Sequence, residues 1–388
     1  MSALASDAGV ASALIYYYFG SKSGLFQSVV ETARMRLKER VIAPILAVVA
    51  HQGSLEARLT TLVSVLAHRG RDDIGLHRLI LAGDLEADIP EVFAVRETIG
   101  EDIQRLYWAV AGLNEHGPEN DRERQLVATI ELLVLGIWLF GMRRHGVERL
   151  PIVVQAFMDL LAGTLFEAGV EDEPQGGAET RQEARTSSEL LDGDAALEER
   201  LASIALHRFA SSGYGKTSLK EIATLAGVTT GAIFHYFGSK AGLYRMAGAL
   251  GIQRMVDRSA YSIALADIRG KGSQRERVKA HFQSIAATVE DLVDNHWMGL
   301  RVQVDAELYP ALVEMRDEWA DALEQHYRSV TGGGEPSSGS GEGAPVQEPL
   351  PVLLDVLTLG TSWFTVRHGT GAAKSALLGL ERLIDRQV

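Results

Sequence analysis

Thr229-Thr230-Gly231-Ala232-Ile233-Phe234-His235-Tyr236-Phe237-Gly238-Ser239-Lys240 has a partner near the start of the chain, Ala11-Ser12-Ala13-Leu14-Ile15-Tyr16-Tyr17-Tyr18-Phe19-Gly20-Ser21-Lys22. Each follows an Ala-Gly-Val tripeptide, Ala226 to Val228 and Ala8 to Val10, at a constant offset of 218 positions. The later copy reads as a short helix, Thr230 to Phe237, capped by Thr229 and closed by Gly238-Ser239. Ser239 then caps a further helix starting at Lys240. Upstream, Leu197, Leu201, Ala205 and Phe209 step by four, predicting a helix over about 195–211 that stops at Gly213-Tyr214-Gly215. Thr217 or Ser218 starts the next helix, and Ser218-x-x-Glu221 has the form of a capping box. That helix ends at Gly227, where a tight turn needs positive φ. Two short helices joined by a glycine turn make a helix-turn-helix, whose second helix enters a DNA major groove.

The rest of the chain sets the frame. Its 388 residues suit two domains, and the composition, 46% hydrophobic and 23% charged, is that of a globular protein. With no cysteine there is no disulfide, thiolate metal site or thiol nucleophile. No basic and apolar leader follows Met1, and the apolar run Leu132 to Met142 is too short to span a bilayer. A cytoplasmic protein without membrane contact is therefore expected. The net charge of −13 speaks against a polyanionic partner until it is resolved along the chain. Residues 195–245 carry Arg200, Arg208, Lys216, Lys220, Lys240 and Arg245 against only Glu198, Glu199 and Glu221. A basic face on an acidic body fits a DNA reader.

The segment Leu197 to Leu250 resembles the DNA-binding domain of the TetR family of transcriptional regulators. The resemblance rests on Phe209-Ala210-x-x-Gly213-Tyr214, Thr217-Ser218, Ile222-Ala223, Ala226-Gly227-Val228, Gly231, Tyr236-Phe237, Ser239-Lys240 and Leu243. Residues 2–30 resemble the same domain through Leu4-Ala5, Ala8-Gly9-Val10, Ile15-Tyr16, Tyr18-Phe19, Ser21-Lys22 and Leu25. The whole chain thus resembles two family members in tandem. The implied fold is all-α: a truncated head at 1–30, a helical regulatory domain at 31–170, and an acidic linker at 171–194. A complete head at 195–250 and a second regulatory domain at 251–388, with a disordered loop at 331–349, follow. Repeated pieces farther on, Trp138 to Gly146 and Trp363 to Gly369 among them, agree with a duplication.

The resemblance also implies roles. Ile233 and Phe237 face the core against Ile222 and Phe209. Thr230, Gly231, Ala232 and Phe234 form the base-facing side of the recognition helix, and Ala232 suits a thymine methyl. Thr217, Thr229, His235, Tyr236 and Lys240 fall where the family contacts DNA, the last at a helix start that a phosphate would complete. The matching positions in the first head are Ser12, Ala13, Leu14, Tyr16, Tyr17, Tyr18 and Lys22. That head departs from the pattern: Ala11 stands where Thr229 caps, at a cost of about 1 kcal/mol unless Ser12 takes over. Leu14 faces bases, and no first helix precedes it, so Ile15 and Phe19 are expected to be partly uncovered. Either translation starts upstream of Met1 or the first head is impaired.

In the family, the body holds a ligand pocket and the last two helices pair with a second domain. Here Glu131 to Met142 with Pro151 to Phe166, and Leu350 to Val366 with Ala372 to Ile384, fit those helices. Trp108, Trp297, Tyr309 and Trp319 are the candidate pocket residues, implying a small apolar or aromatic effector. The 24-residue linker has a reach of about 27 Å as a flexible coil, which allows an intramolecular pseudo-dimer as well as a homodimer. Gly215-Lys216-Thr217 imitates a P-loop, but Ala210 occupies the required first glycine position. No metal, cofactor or catalytic constellation is apparent, so an enzyme is not expected. The reading is a DNA-binding, ligand-responsive repressor acting on double-stranded operator DNA. The alternative is a sensor or interaction module that has lost DNA binding.

Overall fold

In the computed structural model, the described residues are 1–69, 74–85, 90–143, 145–166, 193–270, 272–332 and 348–385. Residues 171–192 of the expected linker and most of the 331–349 loop lie outside them, while Gly193 and Asp194 belong to a helix. Every regular element among the described residues is helical. The chain divides into two compact units, Met1–Leu150 and Pro151–Val388, and the division falls inside one helix.

The first unit opens with α1 (Ser2–Asp7), α2 (Ser12–Phe19) and α3 (Lys22–Leu37). A wide turn at Lys38–Ile42 leads into α4 (Ala43–Val49), followed by α5 (Leu55–Arg69), α6 (Ile74–Leu85), α7 (Pro90–Ala111) and α8 (Asp121–Gly141). The helix α9 (Gly146–Ala162) contains the division. Ile45, Leu62, Leu81 and Val110 supply fully buried side chains to this unit. Asn120 caps α8 through its side-chain oxygen, which accepts from Glu123 N–H at 3.0 Å.

The second unit contains α10 (Gly193–Lys216), α11 (Leu219–Ala226), α12 (Thr230–Phe237), α13 (Lys240–Ile268), α14 (Gln274–Thr288) and α15 (Val293–Leu308). A single 3₁₀ turn at Pro310–Leu312 joins α15 to α16 (Val313–Val330), and α17 (Pro349–His368) and α18 (Thr370–Ile384) complete it. The four-residue stepping is confirmed, since Leu201, Ala205 and Phe209 are fully buried. They pack with Ile222, Ile233, Leu243 and Tyr244 in one cluster. Each such side chain contributes about 1.5–3 kcal/mol of burial.

By length and composition, α8 and α17 could each cross a membrane, yet 67% and 83% of their apolar windows are buried in the protein. They are core helices. Leu132 to Gly141 are all buried, as are Leu350 to Thr361, so neither helix has a solvent-exposed side over those stretches. Inside the second unit Ser259 Oγ lies 2.7 Å from His281 Nδ1 and 3.1 Å from His326 Nε2. His281 Nε2 reaches Thr358 Oγ1 at 3.3 Å. Burial holds the His281 pKa down at about 3, with a further push from His326, and that of His326 at about 4.

Candidate nucleic-acid interface

The second head is built around α11 and α12. Their inner faces, Ile222, Ala223, Ala226 and Ile233, are buried against α10 and α13. Gly227, at φ 70° and ψ 30°, ends α11 in the left-handed region. Val228 N–H donates to Ala223 O at 2.9 Å across this turn, satisfying one of the carbonyls the helix leaves open. With its interior fixed, α12 presents the opposite face outward. Thr229, Gly231, Phe234 and His235 are exposed, and Thr230, Ala232 and Tyr236 are half-buried. Phe234 is 51% exposed, an unusual position for a large apolar side chain.

Several local expectations need correcting. Ser218 begins α11, but its side chain makes no capping hydrogen bond. Glu221 pairs with Arg208 on α10 instead, so the capping box does not close. Thr229 likewise occupies the start of α12 without a side-chain cap bond, and Ala11 does the same for α2. The supposed penalty at Ala11 therefore disappears. Thr217 is buried, and its hydroxyl lies 2.7 Å from Gly213 O and 3.1 Å from Arg208 O. It holds the approach to α11 and does not face outward. Ser239 and Ser21 cap as expected, accepting from Gly242 N–H at 3.0 Å and Gly24 N–H at 2.9 Å.

Lys240 is half-buried, with Nζ 4.7 Å from the centroid of the Tyr214 ring and 3.5 Å from Gly215 O. Burial lowers its pKa, while Asp305 opposes that shift. Among the other basic residues of this head, Arg245 is paired with Glu318 at 3.0 Å and Arg200 donates to Ala226 O at 3.0 Å. Lys220 is exposed.

The first head has the same short helices but a different interior. Ile15 is buried, contrary to expectation, and Phe19 is half-buried. The exposure falls elsewhere. Leu4 is 50% and Val29 48% exposed, whereas the residues 218 positions later, Ile222 and Ala247, are fully buried. In the second head α10 covers that face. Leu14, Tyr16, Tyr17, Tyr18, Ala13 and Lys22 are exposed, and Ser12 is half-buried.

The four aromatic pocket candidates sit in packed surroundings. Trp319 stacks on Tyr244 at 5.8 Å, and Tyr309 lies 4.9 Å from Tyr214. Trp297 packs on the same cluster beneath the Arg301 guanidinium, 5.9 Å from its centroid. Trp108 covers the turn at Gly117, where an added Cβ would come within 2.6 Å of its ring. Trp108, Trp297 and Tyr309 are half-buried and Trp319 is buried.

Residues 1–29 and 203–247 match the model of the family described as bacterial regulatory proteins, tetR family. The two matched segments are the two heads described above. No curated protein matches the chain. Among solved structures, one described as a TetR-family transcriptional regulator from Rhodococcus sp. is similar at 19% sequence identity and a TM-score of 0.36. That match covers 48% of this chain and 97% of the other. The family model thus covers the two helix-turn-helix heads and none of the helices that follow α3 or α13.

Proposed function

We propose that the protein is a ligand-responsive transcriptional repressor that lays α12 in the major groove of operator DNA. The observation that carries this reading is the construction of α12. Its inner face is locked by Ile233 and the Gly227 turn, while Thr229, Gly231, Phe234 and His235 are left facing outward. Small residues beside Phe234 allow close approach to base edges, and Phe234 itself suits a thymine methyl. Lys240 and the N–H groups at the start of α13 would meet a phosphate. We take the two halves as tandem copies of one ancestral unit, which pair either within the chain or between two chains. An effector would act by changing how the heads are presented to DNA. Its apolar or aromatic character rests on the resemblance and on Trp108, Trp297, Tyr309 and Trp319 as the candidate contacts.

A second reading applies to the first head. The exposed Leu4 and Val29 favour a segment that does not read DNA unaided. Footprinting on DNA flanking the gene, with wild type, Lys22→Ala and Lys240→Ala, separates these readings. Shrinkage of one asymmetric site from both sides shows two working heads. Loss from Lys240→Ala alone shows that only the second reads. Absence of salt-sensitive protection by the wild type sinks the repressor reading in favour of a sensor. The solution mass at micromolar concentration distinguishes pairing within one chain from pairing of two.

A further inference from the structure

Two charged side chains of α15, Arg301 and Asp305, are buried one helical turn apart, each about 6% exposed. Burying charges costs several kcal/mol apiece unless they are well hydrogen-bonded, so their partners matter. Arg301 Nε donates to Ala210 O at 3.3 Å, and its Nη2 donates to Ser211 O at 3.2 Å. These carbonyls are among the last of α10 before the backbone breaks at Gly213, which sits at φ 73° and ψ 170°. Asp305 Oδ2 takes the other side of the break. It accepts from Tyr214 N–H at 2.9 Å and from Tyr244 O–H at 3.2 Å.

The break therefore has a charged splint across it, one residue for the orphan carbonyls and one for the first amide beyond. What the splint fixes is Tyr214. Its ring packs between Phe209 at 6.1 Å, Tyr244 at 5.4 Å and Tyr309 at 4.9 Å. The outer side of that ring carries Lys240. At the neighbouring Gly215 the Tyr309 hydroxyl lies where a Cβ would stand, so a larger residue there would displace that side chain.

We infer that Arg301 and Asp305 are positioning residues for DNA contact: they lock the Gly213–Tyr214 break, and Tyr214 in turn aims the Lys240 ammonium. This rests on the proposed DNA reading, with the aiming itself a separate matter of geometry. A buried arginine–aspartate set placed only to hold α10 on α15 would have no bearing on Lys240. Placed at this break, it decides where a cation in the first turn of α13 stands relative to the recognition helix.

Two measurements test this together. In protein labelled at the lysine ε-carbon, the Lys240 methylene resonance should be shifted upfield by the Tyr214 ring. That shift should persist in Tyr214→Phe and vanish in Tyr214→Leu and Asp305→Leu, with Asp305→Asn recovering it through its amide oxygen. Binding of a fluorescent duplex of the gene's flanking DNA should then follow the same order. Tyr214→Leu should flatten the log K versus log salt slope by about 1, as Lys240→Ala does, and combining the two should add nothing further. A lysine resonance that stays shifted in both Leu variants overturns the inference. So do losses in the Tyr214→Leu/Lys240→Ala double variant that simply add, and this arm stands even if Asp305→Leu fails to fold. An aimed lysine in a wild type that shows no salt-dependent binding overturns the DNA contact and the DNA reading, but not the aiming.

Discussion

Replacing Gly227 by alanine isolates the cost of the turn between α11 and α12. The glycine sits at φ 70°, and an added Cβ would meet nothing within 4 Å. No collision contributes, so the penalty is the intrinsic cost of an L-residue in the left-handed region, about 1–2 kcal/mol. The chain can escape by rotating the residue, but that breaks the Val228 N–H to Ala223 O bond, which is worth about 1 kcal/mol. Either route gives the same order. For a domain of this size each kcal/mol moves Tm by about 2–4 °C, so Gly227→Ala should melt roughly 2–8 °C below wild type. Gly227→Asn should fall less, since asparagine tolerates this region better. Thermal unfolding followed by circular dichroism gives the answer. Alanine melting with wild type, or asparagine melting below alanine, would refute the reasoning.

Truncating Phe209, fully buried among Tyr214, Tyr244 and Ile222, should cost about 3–5 kcal/mol in urea unfolding of the second head. Ile222→Ala should cost about 2–5 kcal/mol there, while Leu4→Ala, at the equivalent but exposed position, should stay within about 0.5 kcal/mol. Four buried histidines have lowered pKa values: His77 and His281 at about 3, His296 and His326 at about 4. The unfolded chain binds protons on them below its ordinary value near 6.5 while the folded protein does not. Stability should therefore be complete above that pH and fall between about 6.5 and 4, by about 1.4 kcal/mol per pH unit for each histidine. Urea midpoints across that range should show the decline, and His281→Gln should make it shallower.

Much of this was legible in the residues. The repeated Ala-Gly-Val turn, the four-residue spacing from Leu201 to Phe209 and the paired Ser-Lys caps depend on neighbours within a few positions, and each is found where it was expected. What failed depended on partners outside the short helices themselves. Glu221 has the spacing of a capping box, but Arg208 reaches it from α10 and forms an ion pair. Thr217 turns inward because the broken end of α10 offers it two carbonyls. The roles of Arg301 and Asp305 were invisible, since their partners lie about 90 positions earlier.

The uncovered face of the first head has a consequence for how the protein comes apart. Leu4 and Val29 already meet solvent in the native state, so loosening residues 1–30 wets little additional hydrocarbon. Such an opening carries a small heat-capacity change and a shallow response to urea. Amides there should exchange early and almost independently of denaturant, whereas those of α11 and α12 should exchange only through larger excursions. Heating should thus loosen residues 1–30 before α11 and α12, and a protease should cut them before those helices.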